Sequence, residues 1–288
     1  MQLAAVLVDQ LALDYGLVIT NTQALRGGDI NKAFRLETST GSFFLKYNQY
    51  PQGNDMLQTE ALGLQELAAT EAIPVPITHG WGTCQNYHYL LLEDWSKQQA
   101  EADFWPSFGR ALAKLHQHSA PQFGLSYSNY IASLHQSNEL QQDWPTFYWC
   151  QRLEPLARAA VDAGLLTQAD SVAFDQLALR LHLIFPTAAP ALLHGDLWSG
   201  NYLISPRGQA GLIDPAIYYG HREMDLAMTK LFGGFSDAFY AAYDEYFPLD
   251  QDWEERIKLC QLYPLLVHVH LFGAAYVQAV KEVLKRYK

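Results

Sequence analysis

Residues 194–201 read His194-Gly195-Asp196-Leu197-Trp198-Ser199-Gly200-Asn201, and Ile213-Asp214-Pro215-Ala216 follows a further hydrophobic stretch. An acid, an amide five positions on, and a second acid behind a short hydrophobic strand is the spacing of a phosphotransferase catalytic loop. In that arrangement Asp196 accepts a hydroxyl proton, while Asn201 and Asp214 offer hard oxygens to Mg2+ on the phosphates of a nucleotide such as ATP. Taken singly, each acid has a plainer reading. His-Gly-Asp can be an ordinary turn, and an aspartate such as Asp214 can cap a helix. Together, between strand-like segments, the three residues favour chemistry.

Working outward, Lys46 lies in Phe43-Phe44-Leu45-Lys46-Tyr47, where a charge in a hydrophobic strand needs a partner or a ligand. An edge gatekeeper or a snorkelling lysine would also fit there. Glu60 shifts the balance, because Leu57, Ala61, Leu64, Leu67 and Ala68 form an apolar helical stripe and Glu60 falls inside it. A Lys46–Glu60 pair would aim the ammonium at nucleotide phosphates. Gly27-Gly28 precedes the strand Lys32–Glu37 and can bring amide N–H groups close to a phosphate, although most such pairs are plain turns. Leu92, Glu93 and Asp94, at the end of Leu90-Leu91-Leu92, are positional candidates for backbone contact with adenine. Asp225 near the start of a helix is either an N-terminal cap or a buried anchor for the catalytic loop. Trp198 offers an apolar face for a carbohydrate, or a core anchor. His268 and His270 read as packed or hydrogen-bonded residues, and no zinc site follows from the histidines. There is no Walker sequence and no Gly-x-Gly-x-x-Gly.

The 288 residues carry 19 Lys and Arg against 30 Asp and Glu, a formal charge of −11, which disfavours a nucleic-acid binder. The 49% hydrophobic and 17% charged composition excludes a disordered chain. Cys84, Cys150 and Cys260 are odd in number and far apart, which suits a reducing compartment and points to the cytoplasm. MQLAAVLVDQLALDYG reads as an amphipathic helix rather than a signal peptide, and no apolar run is long enough to span a membrane. Strand-like segments at Lys32–Glu37, Ser42–Tyr47 and Tyr87–Leu92, with a helix over about 55–70, precede a change of character near residue 93. Helical periodicity then dominates at 104–118, 143–163, 168–185, 223–231, 237–246 and 253–288. The expected organisation is a nucleotide-binding lobe over 1–93 and a helical lobe with the catalytic loop and acceptor pocket over 94–288.

The stretches GGDIN, FFLKYN, QTEALGLQELA, LLHGDLWSGN and DPAIYYGHREMDLAM resemble the fructosamine kinase (ketosamine-3-kinase) family, relatives of protein kinases and aminoglycoside phosphotransferases. The likeness runs from about Arg26 to the tail, with HGDLWSGN and YYGHREMDLAM its specific parts. It implies an α+β, bilobal, protein-kinase-like fold, with a small antiparallel-sheet N-lobe carrying one helix and a larger, mainly helical C-lobe. It also implies transfer of the ATP γ-phosphate to the 3-hydroxyl of a ketosamine, free or on a protein lysine, and so a deglycation repair enzyme. By motif, Asp196 is then the proton acceptor, Asn201 and Asp214 the metal ligands, and Lys46 with Glu60 the phosphate-positioning pair. Asp214 and Asp225 are only 11 positions apart, too close for an extended peptide-binding segment between them, which argues for a compact acceptor. A choline or aminoglycoside kinase, or a nucleotide-binding module without catalysis, are the alternatives.

Overall fold

Phe43–Tyr47 lacks a solvent face, and in the computed structural model, which describes residues 2–25, 30–96 and 98–287, it lies within a strand covered on both sides. In chain order the elements begin α1 (Ala5–Tyr15), β1 (Ile19–Leu25), β2 (Lys32–Thr38), β3 (Gly41–Asn48), α2 (Gly53–Ala69), β4 (Thr78–Cys84) and β5 (Tyr87–Glu93). There follow α3 (Phe104–His116), β6 (Asn129–Ile131), β7 (Leu134–Gln136), α4 (Trp144–Phe147), a π-helical turn (Tyr148–Leu153), α5 (Glu154–Asp162), α6 (Gln168–Ala178) and α7 (Leu181–Ile184). The remainder is β8 (Ala191–Leu193), β9 (Tyr202–Ile204), β10 (Ala210–Leu212), β11 (Tyr218–Gly220), α8 (Glu223–Leu231), α9 (Asp237–Tyr246), α10 (Trp253–Cys260), α11 (Leu262–Phe272), a 3-10 turn (Gly273–Tyr276) and α12 (Val277–Arg286). The chain divides into two compact units, Met1–Phe104 with Tyr202–Pro215, and Trp105–Asn201 with Ala216–Lys288.

The first unit is built on an antiparallel five-stranded sheet in the order β1-β2-β3-β5-β4. Its register sets Phe34, Leu45 and Leu91 side by side, and Ala33, Lys46 and Leu90 side by side one step along. Because side chains alternate across a pleat, these two rows face opposite ways. Phe34, Leu45 and Leu91 pack with Leu7 and Leu11 of α1, whereas Leu90 and Leu92 pack with Leu57, Ala61 and Leu64 of α2. Lys46 therefore projects to the α2 face. Gly41 closes the β2–β3 hairpin at φ 141°, a conformation open to glycine. The β9–β10 hairpin, distant in sequence, docks onto this unit: Leu212 N–H donates to Pro74 O at 3.0 Å and Glu101 N–H to Gly208 O at 3.0 Å.

The second unit is mainly helical. Trp144, Phe147, Tyr148, Phe185 and Tyr218 form one buried aromatic group, and Phe108 and Phe239 another. β8 pairs with β11 and β6 with β7, strands of three residues each; β8 is the strand-like segment expected before residues 194–201, whereas β6, β7 and β11 have no strand pattern in the sequence. The run read as one helix over 143–163 is continuous but contains the π turn, and 168–185 is two helices. The run Trp253–Arg286 has the length and apolarity of a membrane span. It is divided at Gln261 and at residues 273–276, and half of its most apolar window is buried within the protein.

Candidate active site

In the first unit, Lys46 is buried on β3 and ion-paired twice. Its Nζ donates to Glu60 Oε1 at 2.7 Å and to Asp214 Oδ1 at 2.5 Å. Glu60 reaches it from the middle of α2, whose apolar stripe turns this face of the helix to the sheet. Asp214 comes from the segment just after β10, with φ 55°, the left-handed region that aspartate tolerates better than most side chains. Its side chain is nearly half exposed. Burial works against the Lys46 charge, yet Asp214 and Glu60 outweigh it and hold the ammonium well above its ordinary range. Burial also pushes the Glu60 carboxyl up to about 7, against the pull of Lys46 and with a further push from Asp214.

The other first-unit candidates are placed less directly. Leu92 is buried, paired with Phe44 and Thr78. Glu93 ends β5; its N–H donates to Ile77 O, and its Oε2 accepts from Ile77 N–H. Asp94 is ion-paired with Arg35 at 2.7 Å and accepts from Ser96 N–H and Oγ–H, each at 3.1 Å. The side chains of Glu93 and Asp94 thus stabilise the strand end locally. Gly27 and Gly28 lie outside the described residues. Just beyond them, Asn48 Nδ2 donates to Asn31 Oδ1 at 2.8 Å, tying the start of β2 to β3.

In the second unit the HGD loop follows β8. Gly195 has φ 84°, and a Cβ there would collide with Ala216 O, so the turn admits only glycine. Asp225, in the first turn of α8, holds this turn. Its Oδ2 accepts from His194 N–H at 2.7 Å and its Oδ1 from Gly195 N–H at 3.0 Å. Its Oδ2 also lies 3.3 Å from His116 Nε2. Burial would raise the Asp225 pKa; the His116 hydrogen bond and charge, with the His194 contacts, win and lower it. Asp196 N–H donates to His194 Nδ1 at 3.2 Å, which assigns that nitrogen as the acceptor.

Asn201 is buried, and its Nδ2 donates both to Asp196 O at 2.9 Å and to Asp196 Oδ2 at 3.0 Å. Both amide hydrogens are thereby spent, and the side-chain oxygen is the atom left for a cation. The amide oxygen of Asn201 in the second unit and the half-exposed Asp214 carboxylate in the first are each the kind of hard donor Mg2+ takes. Among the described residues no group of three or more His, Cys, Asp or Glu has metal-binding geometry. Trp198, 38% exposed, lies over Gly200 and meets Phe232 edge-on at 6.2 Å.

The structure therefore brings Lys46, Glu60 and Asp214 together in the first unit, and Asp196, Asn201 and Asp225 in the second. His268 and His270 bond to the backbone oxygens of Pro264 and Leu156. His116, with its Nδ1 on Tyr243 Oη at 2.8 Å, was not singled out from the sequence. It stands at the end of an amphipathic helix with no local motif, and only its packing against Asp225 marks it.

A family model described as fructosamine kinase matches residues 2–288. The chain is 40% identical over 275 residues to a protein of Lactiplantibacillus plantarum described as "Probable ketoamine kinase", covering 93% of this chain and 95% of that one. It is 33% identical over 274 residues to the chloroplastic protein-ribulosamine 3-kinase of Arabidopsis thaliana, covering 93% and 83%. A crystal structure described as "putative fructosamine-3-kinase" from Thermobifida fusca superposes with a TM-score of 0.87 at 35% identity, over 97% of each chain. The aminoglycoside phosphotransferase APH(4)-Ia matches with a TM-score of 0.65 at 15% identity, a likeness of fold.

Proposed function

The chain belongs to the fructosamine kinase family, and from that premise we infer that it is an ATP-dependent kinase of ketosamines. The acceptor is the 3-hydroxyl of a fructosamine or ribulosamine, on a small amine or a protein lysine. The observation that carries this reading is the buried ammonium of Lys46 held between two carboxylates, Glu60 and Asp214. A cation so placed in a sheet core costs desolvation that a purely structural lysine would avoid, and its use is to meet the charge of a triphosphate.

In the proposed reaction Asp196 orients the sugar hydroxyl and takes its proton. Asn201 fixes the Asp196 carboxylate through Nδ2, and Asp225 fixes the turn that precedes it. Lys46, steadied by Glu60, draws negative charge from the phosphates. Asn201 and Asp214 would hold Mg2+, which when bound neutralises phosphate charge. Chain connectivity supports pairing these two residues: Asn201 is bonded to Tyr202, which pairs with Leu212, two residues before Asp214. Amide groups at Gly27 and Gly28 would meet the phosphates, the backbone of Leu92–Asp94 the adenine, and the Trp198 ring the apolar face of the sugar. The proposed functional division is a nucleotide lobe over 1–93 and an acceptor lobe over 94–288, although 94–104 and 202–215, with Asp214, group with the first compact unit. Phosphorylation destabilises the ketoamine and frees the amine, so the physiological outcome is deglycation. The net charge of −11 supports a partner other than nucleic acid, and Cys84, Cys150 and Cys260, all free thiols, support the cytoplasm.

The test is ADP formation with fructosyl-lysine and ribulosyl-lysine, compared with choline and kanamycin. Turnover that depends on a ketosamine supports the reading. Turnover with choline or kanamycin alone, or nucleotide binding without turnover on any acceptor, overturns it.

A further inference from the structure

Arg152 is wholly buried in the second unit, at the π turn between α4 and α5. Its Nη1 donates to Ser137 O at 2.6 Å and Gln151 O at 3.0 Å, and its Nη2 to Asn138 Oδ1 at 2.6 Å. Nε is buried without a partner, and no carboxylate pairs with the guanidinium among the described residues. The rings of Tyr218, Phe147 and Tyr263 surround it, with centroids 4.0, 4.6 and 5.4 Å from Cζ. Cation–π attraction offsets only part of what it costs to bury such a charge. π turns, which insert a residue into a helix, concentrate at functional sites.

The polar contacts of Arg152 lead to the catalytic loop. Asn138 Nδ2 donates to Asn129 Oδ1 at 3.0 Å; Gln136 Nε2 donates to Asn129 Oδ1 at 2.8 Å and to Ala216 O at 3.2 Å. Asn129 Nδ2 donates to Ile217 O at 2.8 Å, and Tyr263 Oη to Gln136 Oε1 at 2.6 Å. All four side chains are buried. The backbone they hold, Ala216–Ile217, is the seat of the HGD turn: Ala216 N–H donates to His194 O at 2.9 Å, and Ala216 O lies against Gly195. The Tyr218 ring touched by Arg152 also lies under Gly195. One aromatic ring separates the buried cation from the residue before Asp196.

We propose that Arg152 is a positioning residue for phosphoryl transfer: its fork, with Asn138, Asn129 and Gln136, sets the Ala216–Ile217 backbone on which the Asp196 loop is seated. The proposal rests on Asp196 being the proton acceptor. Arg152→Lys keeps the charge and loses the planar fork that reaches Ser137 O and Asn138 Oδ1 together. Displacing a catalytic group by a fraction of an ångström lowers kcat about 10- to 100-fold. We expect that loss in Arg152→Lys, per folded molecule, with KM for ATP and for fructosyl-lysine within about twofold of the unsubstituted enzyme. In an Asp196→Asn background the same substitution should cost less than about threefold, because the group it positions has lost its function. Undiminished kcat, a rise in KM alone, or the same loss in both backgrounds overturns the proposal. If Arg152→Lys does not fold, Tyr263→Phe, which removes only the hydroxyl bonded to Gln136, is judged by the same criteria. Turnover by the unsubstituted enzyme is measured alongside; its absence refutes the ketosamine reading, whereas normal turnover with unaffected variants refutes the role of Arg152 alone.

Discussion

Replacing Lys46 by Met removes the one cation between Glu60 and Asp214 and leaves an apolar chain of similar length on β3. Removing one partner of a buried ion pair costs about 3–5 kcal/mol, most of it the penalty of the charge left behind. Here Glu60 is the stranded charge, since Asp214 keeps solvent contact across nearly half its side chain and is discounted accordingly. The low end, about 3 kcal/mol, is the expectation. The cost should depend on pH, and its sign follows from Glu60. In the native enzyme its pKa is raised to about 7 from the ordinary 4.5. A carboxylate raised on folding contributes stability that is complete below 4.5 and lost as pH rises through the folded value. Without the ammonium the folded value rises further, as when two carboxylates share a proton. Above pH 7 the variant therefore goes on losing about 1 kcal/mol per pH unit while the native protein no longer does. Urea unfolding followed by tryptophan fluorescence, with Trp81 and Trp95 reporting on the first unit, should show a small deficit at pH 6. At pH 9 the deficit should be about 2 kcal/mol larger. An equal deficit at both pH values, or none, would refute the buried triad as the source of the effect.

Asp196→Asn should lower kcat about 100-fold or more, with nucleotide affinity by calorimetry unchanged, and full turnover would reject the base assignment. Asp225→Ala strands two backbone N–H groups, those of His194 and Gly195. It should destabilise the second unit by about 2–5 kcal/mol in denaturant unfolding, with activity falling in step. His221 is buried, and desolvation first, then the charges of Arg256 and Arg222, push its pKa down to about 3 from 6.5. A depressed group gives stability that is present above 6.5 and lost as pH falls toward 3, at up to about 1 kcal/mol per pH unit. His221→Phe should flatten the acid limb of a Tm-against-pH profile, and an unchanged limb would assign acid sensitivity elsewhere.

What the sequence determined by itself was local or periodic. The stripe on α2 predicted that Glu60 sits on a buried face and needs a cation, and the hydrophobic strand carrying Lys46 offered one that itself needs a partner or a ligand. The spacing of Asp196, Asn201 and Asp214 marked residues 194–201 as a candidate catalytic loop, with a turn at Gly195 as the plainer reading of His-Gly-Asp. Helices with three- and four-residue spacing were legible for the same reason, down to the exact limits of α8 and α9. Strands of three residues, such as β6, β7 and β11, carry no period to detect, and β1, half polar, does not read as a strand until β2 pairs with it. Tertiary structure alone decided that Asp214, 168 residues from Lys46, shares the ammonium with Glu60. It alone decided that His116 sits beside Asp225, and that Arg152 lies one ring behind Gly195. These are contacts between side chains far apart in the chain, and no local pattern encodes them. They exist only once burial has removed water from around charges that must then find one another.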